Sequence, residues 1–176
     1  MTKYLDMTKA DGCFGVIAEN GEEIVFTGVS VNSMPLSVKT NEADAYADFA
    51  RQYDIYFIFD DEIPEIDFYT IPRIDIAAVD GDGGYIGSVG QPFDLSNKVP
   101  LVYISKDKCC FLITEDSRLF ISIASDWKAR LIPFEGIKLY DNKDSAKREF
   151  EIIDFEKTSR YRELMELMRN RRKGQA

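Results

Sequence analysis

Residues 67–90 of the chain read DFYTIPRIDIAAVDGDGGYIGSVG, and this stretch decides the fold class. Ile74–Val79 has the length and the β-branched content of a strand. Asp80–Gly84 is rich in residues that tolerate positive φ, which predicts a tight turn, and Tyr85–Val89 continues the sheet beyond it. Pro72 suits a strand end or a sheet edge, because proline cannot donate to a ladder of hydrogen bonds.

The chain after this stretch contains two further runs of strand length. Leu101–Ser105 and Cys109–Thr114 flank three polar residues and predict a second hairpin. Thr114 is then expected to cap a helix that has one apolar face, formed by Phe120, Ile123, Ala124 and Trp127. Between the hairpins, Gly90–Pro100 is irregular and polar, as is typical of a loop that reaches a partner.

Before the stretch, the sequence predicts another hairpin and a helix. Asn20-Gly21 between the apolar runs Phe14–Glu19 and Glu22–Val29 is a strong hairpin signal. Pro35–Thr40 has the composition of a connector, and Asn41 is expected to cap a helix whose apolar face is formed by Tyr46, Phe49, Ala50 and Tyr53. Ile55–Phe59 then has the length and composition of a strand.

The C-terminal part completes one α+β domain over residues 1–176. Leu131–Leu139 has no clear pattern, and Glu149–Phe155 fits a helix or a strand. A basic helix is predicted over about 158–172, with a frayed tail over 173–176. With no internal repeat and no linker, we expect a mixed or antiparallel sheet with helices packed against it.

Composition excludes several kinds of chemistry. The 176 residues contain no His and three Cys, so Ser-His-Asp and Cys-His catalysis and most zinc sites are excluded. Cys109 and Cys110 are adjacent and would point to opposite faces of an extended strand, so they cannot jointly hold one metal. We expect no metal site and no cofactor. An odd cysteine count without a leader sequence predicts the cytoplasm, and no apolar run is long enough to predict a membrane span.

Charge is unevenly distributed along the chain. The formal net charge is −9, yet the last twenty residues hold seven bases against two acids. The densest acidic stretch, Glu42–Asp82, holds twelve acids against two bases. A phosphate backbone would be repelled, so nucleic acid is excluded as a partner and a basic protein is favoured. The alternative is a solvated face that keeps the protein soluble.

The glycine-rich turn matches neither of two known ligand-binding motifs. As a calcium loop, Asp80 and Asp82 would be followed by Gln91 where a bidentate acid is needed. As a dinucleotide fingerprint, the turn lacks its third glycine, since Ile86 stands there, and no helix follows. Paired carboxylates among Asp60, Asp61, Glu62 and Glu65 leave a carboxylate-dependent hydrolase as an alternative.

The residues of 67–123 resemble bacterial members of the SUKH superfamily, which are related to the fungal cell-wall glucan-synthesis regulators. The resemblance covers about a third of the chain and rests on turns and core positions. The residues that carry it are Ile71-Pro72, Asp80, Gly83-Gly84-Tyr85, Pro100-Leu101-Val102-Tyr103-Ile104 and Leu119-Phe120.

The resemblance implies a mixed sheet with packed helices and a role without catalysis. Bacterial members look like immunity proteins that bind and neutralise a cognate toxin, often a nuclease. An acidic inhibitor suits the basic cleft of a nuclease, and an intracellular regulatory or scaffold module is the alternative. The residues expected to contact the partner are Asp60, Asp61, Glu62, Glu65, Asp80, Asp82 and Phe93.

Overall fold

The computed structural model describes residues 2–8 and 23–173. The hairpin predicted around Asn20-Gly21 lies mostly outside the described residues. The part that is described, Glu23–Thr27, is a strand that pairs in parallel with Thr2–Asp6.

The described residues form twelve strands and five α-helices. The strands are β1 Thr2–Asp6, β2 Glu23–Thr27, β3 Val29–Val31, β4 Tyr56–Phe57, β5 Tyr69–Ile71, β6 Ile74–Val79, β7 Tyr85–Val89, β8 Leu101–Ile104, β9 Cys110–Thr114, β10 Ile132–Pro133, β11 Lys138–Tyr140 and β12 Ile152–Asp154. The helices are α1 Leu36–Asn41, α2 Ala43–Tyr53, α3 Phe120–Ile123, α4 Lys143–Ala146 and α5 Ser159–Lys173, with 3-10 turns at Ser117–Leu119, Trp127–Arg130 and Phe155–Lys157.

The main sheet grows from β6 and β7, as the sequence predicts. Its strand order is β10-β9-β8-β7-β6-β3, and β4 also pairs with β6. The pairs from β6 through β10 are antiparallel, whereas β3 runs parallel to β6. The fold is therefore α+β with a mixed sheet, and the expected fold class is confirmed.

Apolar side chains pack on both faces of the main sheet, since successive side chains along a strand point to opposite faces. On one face, Leu101 and Tyr103 of β8 pack with Phe120, Ala124 and Trp127 from the segment after β9 and with aromatic side chains of α2. On the other face, Val102 and Ile104 pack with apolar residues of β6, the segment 58–68 and Ile137. The predicted apolar helix face after β9 is therefore confirmed.

Two smaller sheets complete the chain. Strands β12, β1 and β2 form a parallel sheet, and β11 pairs with β5, which ends at the cis Ile71–Pro72 peptide. Glu149–Phe155, which the sequence left open, contains strand β12. The basic C-terminal helix is confirmed as α5, and its Tyr161 packs edge-on against Phe155 at 5.7 Å between ring centres.

Two predictions about the segment before α2 are wrong. The connector predicted at Pro35–Thr40 is helix α1, and Asn41 ends this helix instead of capping the next one. Glu42 alone separates α1 from α2, and its side chain makes no capping hydrogen bond. A six-residue helix that buries none of its residues has no apolar periodicity, so the pattern gave no sign of it.

The strand predicted at Ile55–Phe59 is shorter than expected. Asp54 takes a left-handed conformation that ends α2, and the strand that follows is limited to Tyr56 and Phe57, which pair with the end of β6. Phe59 forms an isolated parallel bridge with Met34. The pairing is short because β3 takes the first half of the same edge of β6.

The prediction that Thr114 caps the segment after β9 is also wrong. Thr114 is the last residue of β9, and the Asp116 side chain accepts from the Arg118 backbone N–H at 3.1 Å. The predicted single helix is divided into a 3-10 turn, α3 and a second 3-10 turn. None of the described helices has the length and apolar character that crossing a membrane requires.

Candidate functional site

Helix α2 forms a ridge on the main sheet with a cleft on each side. The cleft between α2 and residues 60–65, here called the loop cleft, has a volume of about 600 Å³ and is lined in part by Ala47, Tyr56 and Glu62. The cleft on the other side, here called the Phe93 cleft, has a volume of about 450 Å³ and is lined in part by Ala45 and Phe93. Tyr46 and Phe57 line both clefts.

Aromatic contacts hold this ridge in place. The Tyr46 ring packs edge-on against Phe57 at 5.9 Å and against Phe59 at 5.3 Å. Phe49, one turn further along α2, lies 5.7 Å from Phe57. The predicted apolar face of α2 is therefore confirmed, and its rings form the walls of both clefts.

The four acids predicted between Asp60 and Glu65 lie together on an exposed loop. Asp60 accepts a hydrogen bond from the Ser33 hydroxyl at 2.5 Å. The Lys39 ammonium lies 2.9 Å from Asp61 and 3.7 Å from Glu62, and the hydrogen bond to Asp61 is the main cause of the raised pKa of Lys39. Glu65 is exposed as well. Lys39 therefore faces two of the four carboxylates, and the loop keeps a surplus of negative charge.

Asp82 and Asp80 occupy the turn between β6 and β7 but differ in exposure. Asp82 is exposed and pairs with Lys128 at 3.1 Å. The expectation that Asp80 contacts a partner is wrong, because this residue is only 4 % exposed. Its carboxylate accepts from the Gly84 N–H at 2.7 Å and from the Tyr103 hydroxyl at 2.9 Å. Asp80 therefore organises the turn from inside.

The turn is built around this carboxylate. Burial tends to raise the pKa of Asp80, but hydrogen bonds from Gly84, Tyr103 and Lys128 hold it below its ordinary value. Gly83 has a φ of +88°, which favours glycine. A Cβ at Gly84 would lie 2.3 Å from the Tyr103 ring, so the ring needs glycine there to reach Asp80.

Three carboxylates of the described residues lie close enough to hold a metal ion. Oxygen atoms of Asp54, Asp80 and Asp82 lie within 4.8 Å of one another. The Lys128 ammonium, however, lies 2.6 Å from Asp54, 3.2 Å from Asp80 and 3.1 Å from Asp82. A protein cation therefore takes the central position, and the cluster ties the end of α2 to the turn and to the Trp127–Arg130 segment.

Phe93 is half-buried, and a buried carboxylate that the sequence reading did not single out positions its backbone. Asp75 accepts from the Phe93 N–H at 2.6 Å and from the Ser30 hydroxyl. Asn32 donates to Asp75 and to the Phe93 carbonyl, both at 3.3 Å. An acid inside the apolar strand Ile74–Val79 is the sequence signal for such a network, because a buried charge needs partners.

A further polar cavity lies at the parallel sheet. It has a volume of about 270 Å³ and is lined in part by Asp6, Tyr69, Lys143 and Asp154. Lys143 contacts both Asp6 and Asp154, and hydrogen bonds from Lys143 and Lys157 lower the pKa of Asp154 to about 2. A general acid needs a raised pKa, so the lowered pKa of Asp154 is typical of an ion-pair network with Lys143 and Lys157.

Several carboxylates predict how stability depends on pH. Hydrogen bonds from Arg118 lower the pKa of Asp116 to about 2, and those of Asp154 and Asp80 are also lowered. As pH falls through this range, the unfolded chain binds more protons at these carboxyl groups than the folded chain does. These groups therefore stabilise the fold above pH ~4, and their contribution is lost toward pH ~2.

We expect the urea midpoint to stay nearly constant between about pH 5.5 and 8, since there is no His, and to fall below pH ~4. Asp154→Asn is expected to reduce that fall, measured by circular dichroism over a pH series. A step in the midpoint near pH ~6.5, or a rise on acidification, would contradict this expectation.

Neither a scan against protein-family models nor searches of curated proteins and of solved structures found a match to this chain. The structural indications of function therefore come from the described surface of the chain itself. That surface combines the two clefts beside α2 with the acidic loop 60–65.

Proposed function

We propose that this chain is a non-enzymatic protein-binding module that neutralises a cognate toxin by covering it. The proposal is supported by the surface of residues 36–65, which comprise α1, α2 and the chain to Glu65 and are here called the α2 face. This face combines apolar clefts with a surplus of exposed acids. The partner is then a basic protein, for which a nuclease domain with a phosphate-binding cleft is the leading candidate.

The charge of the α2 face suits a basic partner. Residues 36–65 contain eight acids and two bases, Lys39 and Arg51. Lys39 is engaged by Asp61 and Glu62, and Arg51 lies 3.0 Å from Asp48. Exposed pairs of this kind contribute little to stability, so the fold does not depend on these two pairs and the surplus of acids is available to attract a partner.

The same face offers apolar side chains for contact. Tyr56 is 45 % exposed beside the loop cleft, and Ile63 is 56 % exposed within the acidic loop. Tight binding needs a few such apolar anchors as well as charge, because desolvated anchors supply most of the binding energy. Anchors surrounded by acids therefore provide both components on one surface.

The toxin-neutralising role itself rests on the resemblance of residues 67–123 to the SUKH superfamily. That resemblance implies bacterial immunity proteins, and a cytoplasmic location belongs to the same proposal. An intracellular regulatory module would use the same face on an endogenous partner. The two roles differ in gene neighbourhood, since the second predicts no secreted toxin encoded nearby.

A charge-reversal variant tests the proposed function. Bacteria expressing the toxin encoded beside this gene are expected to survive with the wild-type chain and to die with Asp61→Lys/Glu62→Lys/Glu65→Lys. Binding of an inactivated toxin, measured by calorimetry, is expected to weaken at least about tenfold.

The matched control is Glu115→Lys/Glu135→Lys/Glu151→Lys, which reverses three exposed acids outside the α2 face. It should bind and protect like the wild type. Equal loss in both variants would show that only total charge matters, and full protection by the first variant would refute the interface.

A further inference from the structure

The Phe93 cleft is more apolar than the loop cleft. Its walls are mainly Phe49, Phe57, Phe93, Leu95 and Ile121, and Ala77 lies among them with too small a side chain to fill the space. Its volume of about 450 Å³ lies within the range of about 300–1,000 Å³ of cavities that bind organic groups. The cleft therefore has the size and the walls to receive a large apolar group.

The wall formed by residues 91–95 is held by the protein itself. The Phe93 N–H donates to the buried Asp75, and the Ser88 hydroxyl donates to the Gln91 carbonyl at 2.7 Å. The Ser117 hydroxyl donates to the Asp94 carbonyl at 3.0 Å. A cleft that is formed before binding needs little ordering when a ligand enters, which favours affinity.

The charge around the Phe93 cleft is negative. Glu42 is the one charged side chain among the described residues that line it. Asp44 is exposed in the first turn of α2, whereas Asp48, one turn further along, is paired with Arg51 at 3.0 Å. In contrast, the loop cleft is lined by Lys39 and Arg51 as well as by Glu62. A group entering the Phe93 cleft is therefore favoured when it carries a positive charge beside its apolar part.

We propose that the Phe93 cleft is the anchor pocket of the interface and receives an aromatic side chain of the basic partner that lies next to a Lys or Arg. This inference rests on the proposed function and names the chemistry of the contacting segment. The ring would meet Phe49, Phe57 and Phe93, and aromatic pairs prefer such edge and offset contacts. The neighbouring cation would pair with Glu42.

Small probes test this pocket without the partner. The isotopically labelled full-length chain is titrated with phenethylammonium and, separately, with phenylacetate, and its two-dimensional NMR spectrum is recorded. Both probes carry the same ring and differ in charge. Phenethylammonium is expected to shift the resonances of Phe93, Leu95 and Ile121, and phenylacetate to bind at least about threefold more weakly.

Three variants make the result specific. Ala45→Trp places a large side chain in the Phe93 cleft and is expected to abolish the shifts, whereas Ala47→Trp fills the loop cleft and should leave them unchanged. Both alanines are exposed on α2, so the two variants carry a matched change. Glu42→Gln keeps the shape of the side chain and is expected to remove the preference for phenethylammonium.

The outcomes separate this inference from the proposed function. No shifts at the cleft residues, equal binding of the two probes to the wild type, or shifts that persist in Ala45→Trp would each overturn the anchor pocket. If the charge-reversal variant still fails to bind toxin, the proposed function stands without this pocket. If the probes bind as expected but the toxin does not, the proposed function and the partner assigned to the pocket both fall.

Discussion

Replacement of Asp75 by alanine is expected to lower the free energy of unfolding by about 3–5 kcal/mol, because it leaves a buried charge without its partner. Asp75 is 4 % exposed and lies 3.5 Å from the largely buried guanidinium of Arg73. Arg73 also donates to the Ser30 hydroxyl, which in turn donates to Asp75. Removal of the carboxylate would leave the guanidinium of Arg73 without its ion-pair partner and the Phe93 N–H without its acceptor.

Urea denaturation at pH 7 measures the loss, and hydrogen exchange of the Phe93 amide reports on the loop. Asp75→Asn keeps the shape and part of the hydrogen bonding, so its loss is expected to be smaller. Asp107→Ala removes an exposed acid and should change the stability by less than about 0.5 kcal/mol. A change that small in Asp75→Ala would show that the network does not support the fold.

Replacement of Trp127 by alanine is expected to cost about 3–5 kcal/mol, because it empties the centre of one core. Trp127 is 2 % exposed, and its ring packs edge-on against Tyr103 at 5.2 Å. Its indole N–H donates to the Tyr53 carbonyl at 2.8 Å and so connects this core to the end of α2. The loss is therefore expected to loosen the ridge between the two clefts as well.

Circular dichroism is the suitable measurement, since Trp127 is the chain's only tryptophan and its fluorescence is lost in the variant. Trp127→Phe keeps a ring and loses the hydrogen bond, so a smaller loss of about 1–2 kcal/mol is expected. Leu119→Ala, at a residue 51 % exposed, should have little effect. Equal stabilities of Trp127→Ala and Leu119→Ala would contradict the assigned core.

Much of the fold follows from local sequence signals. Strands β6 and β7 and the β8–β9 hairpin match the predicted ranges closely, because short apolar runs of strand length between turn formers indicate a strand without distant partners. Helix α1 has no such signal, since it buries none of its residues. The split of the segment after β9 was likewise missed, because Asp116 caps it by a contact that its composition does not reveal.

The sequence by itself determined the α+β class, the central strands, the faces of α2 and of the segment after β9, and the surplus of acids. The tertiary structure decided which acids are available to a partner. Asp60–Glu65 stay exposed, whereas Asp80 and Asp75 are enclosed by groups distant in sequence, such as Tyr103 and Asn32. The two clefts are likewise assembled from separate segments. Periodicity is a local property, whereas burial and hydrogen bonding depend on how distant segments meet.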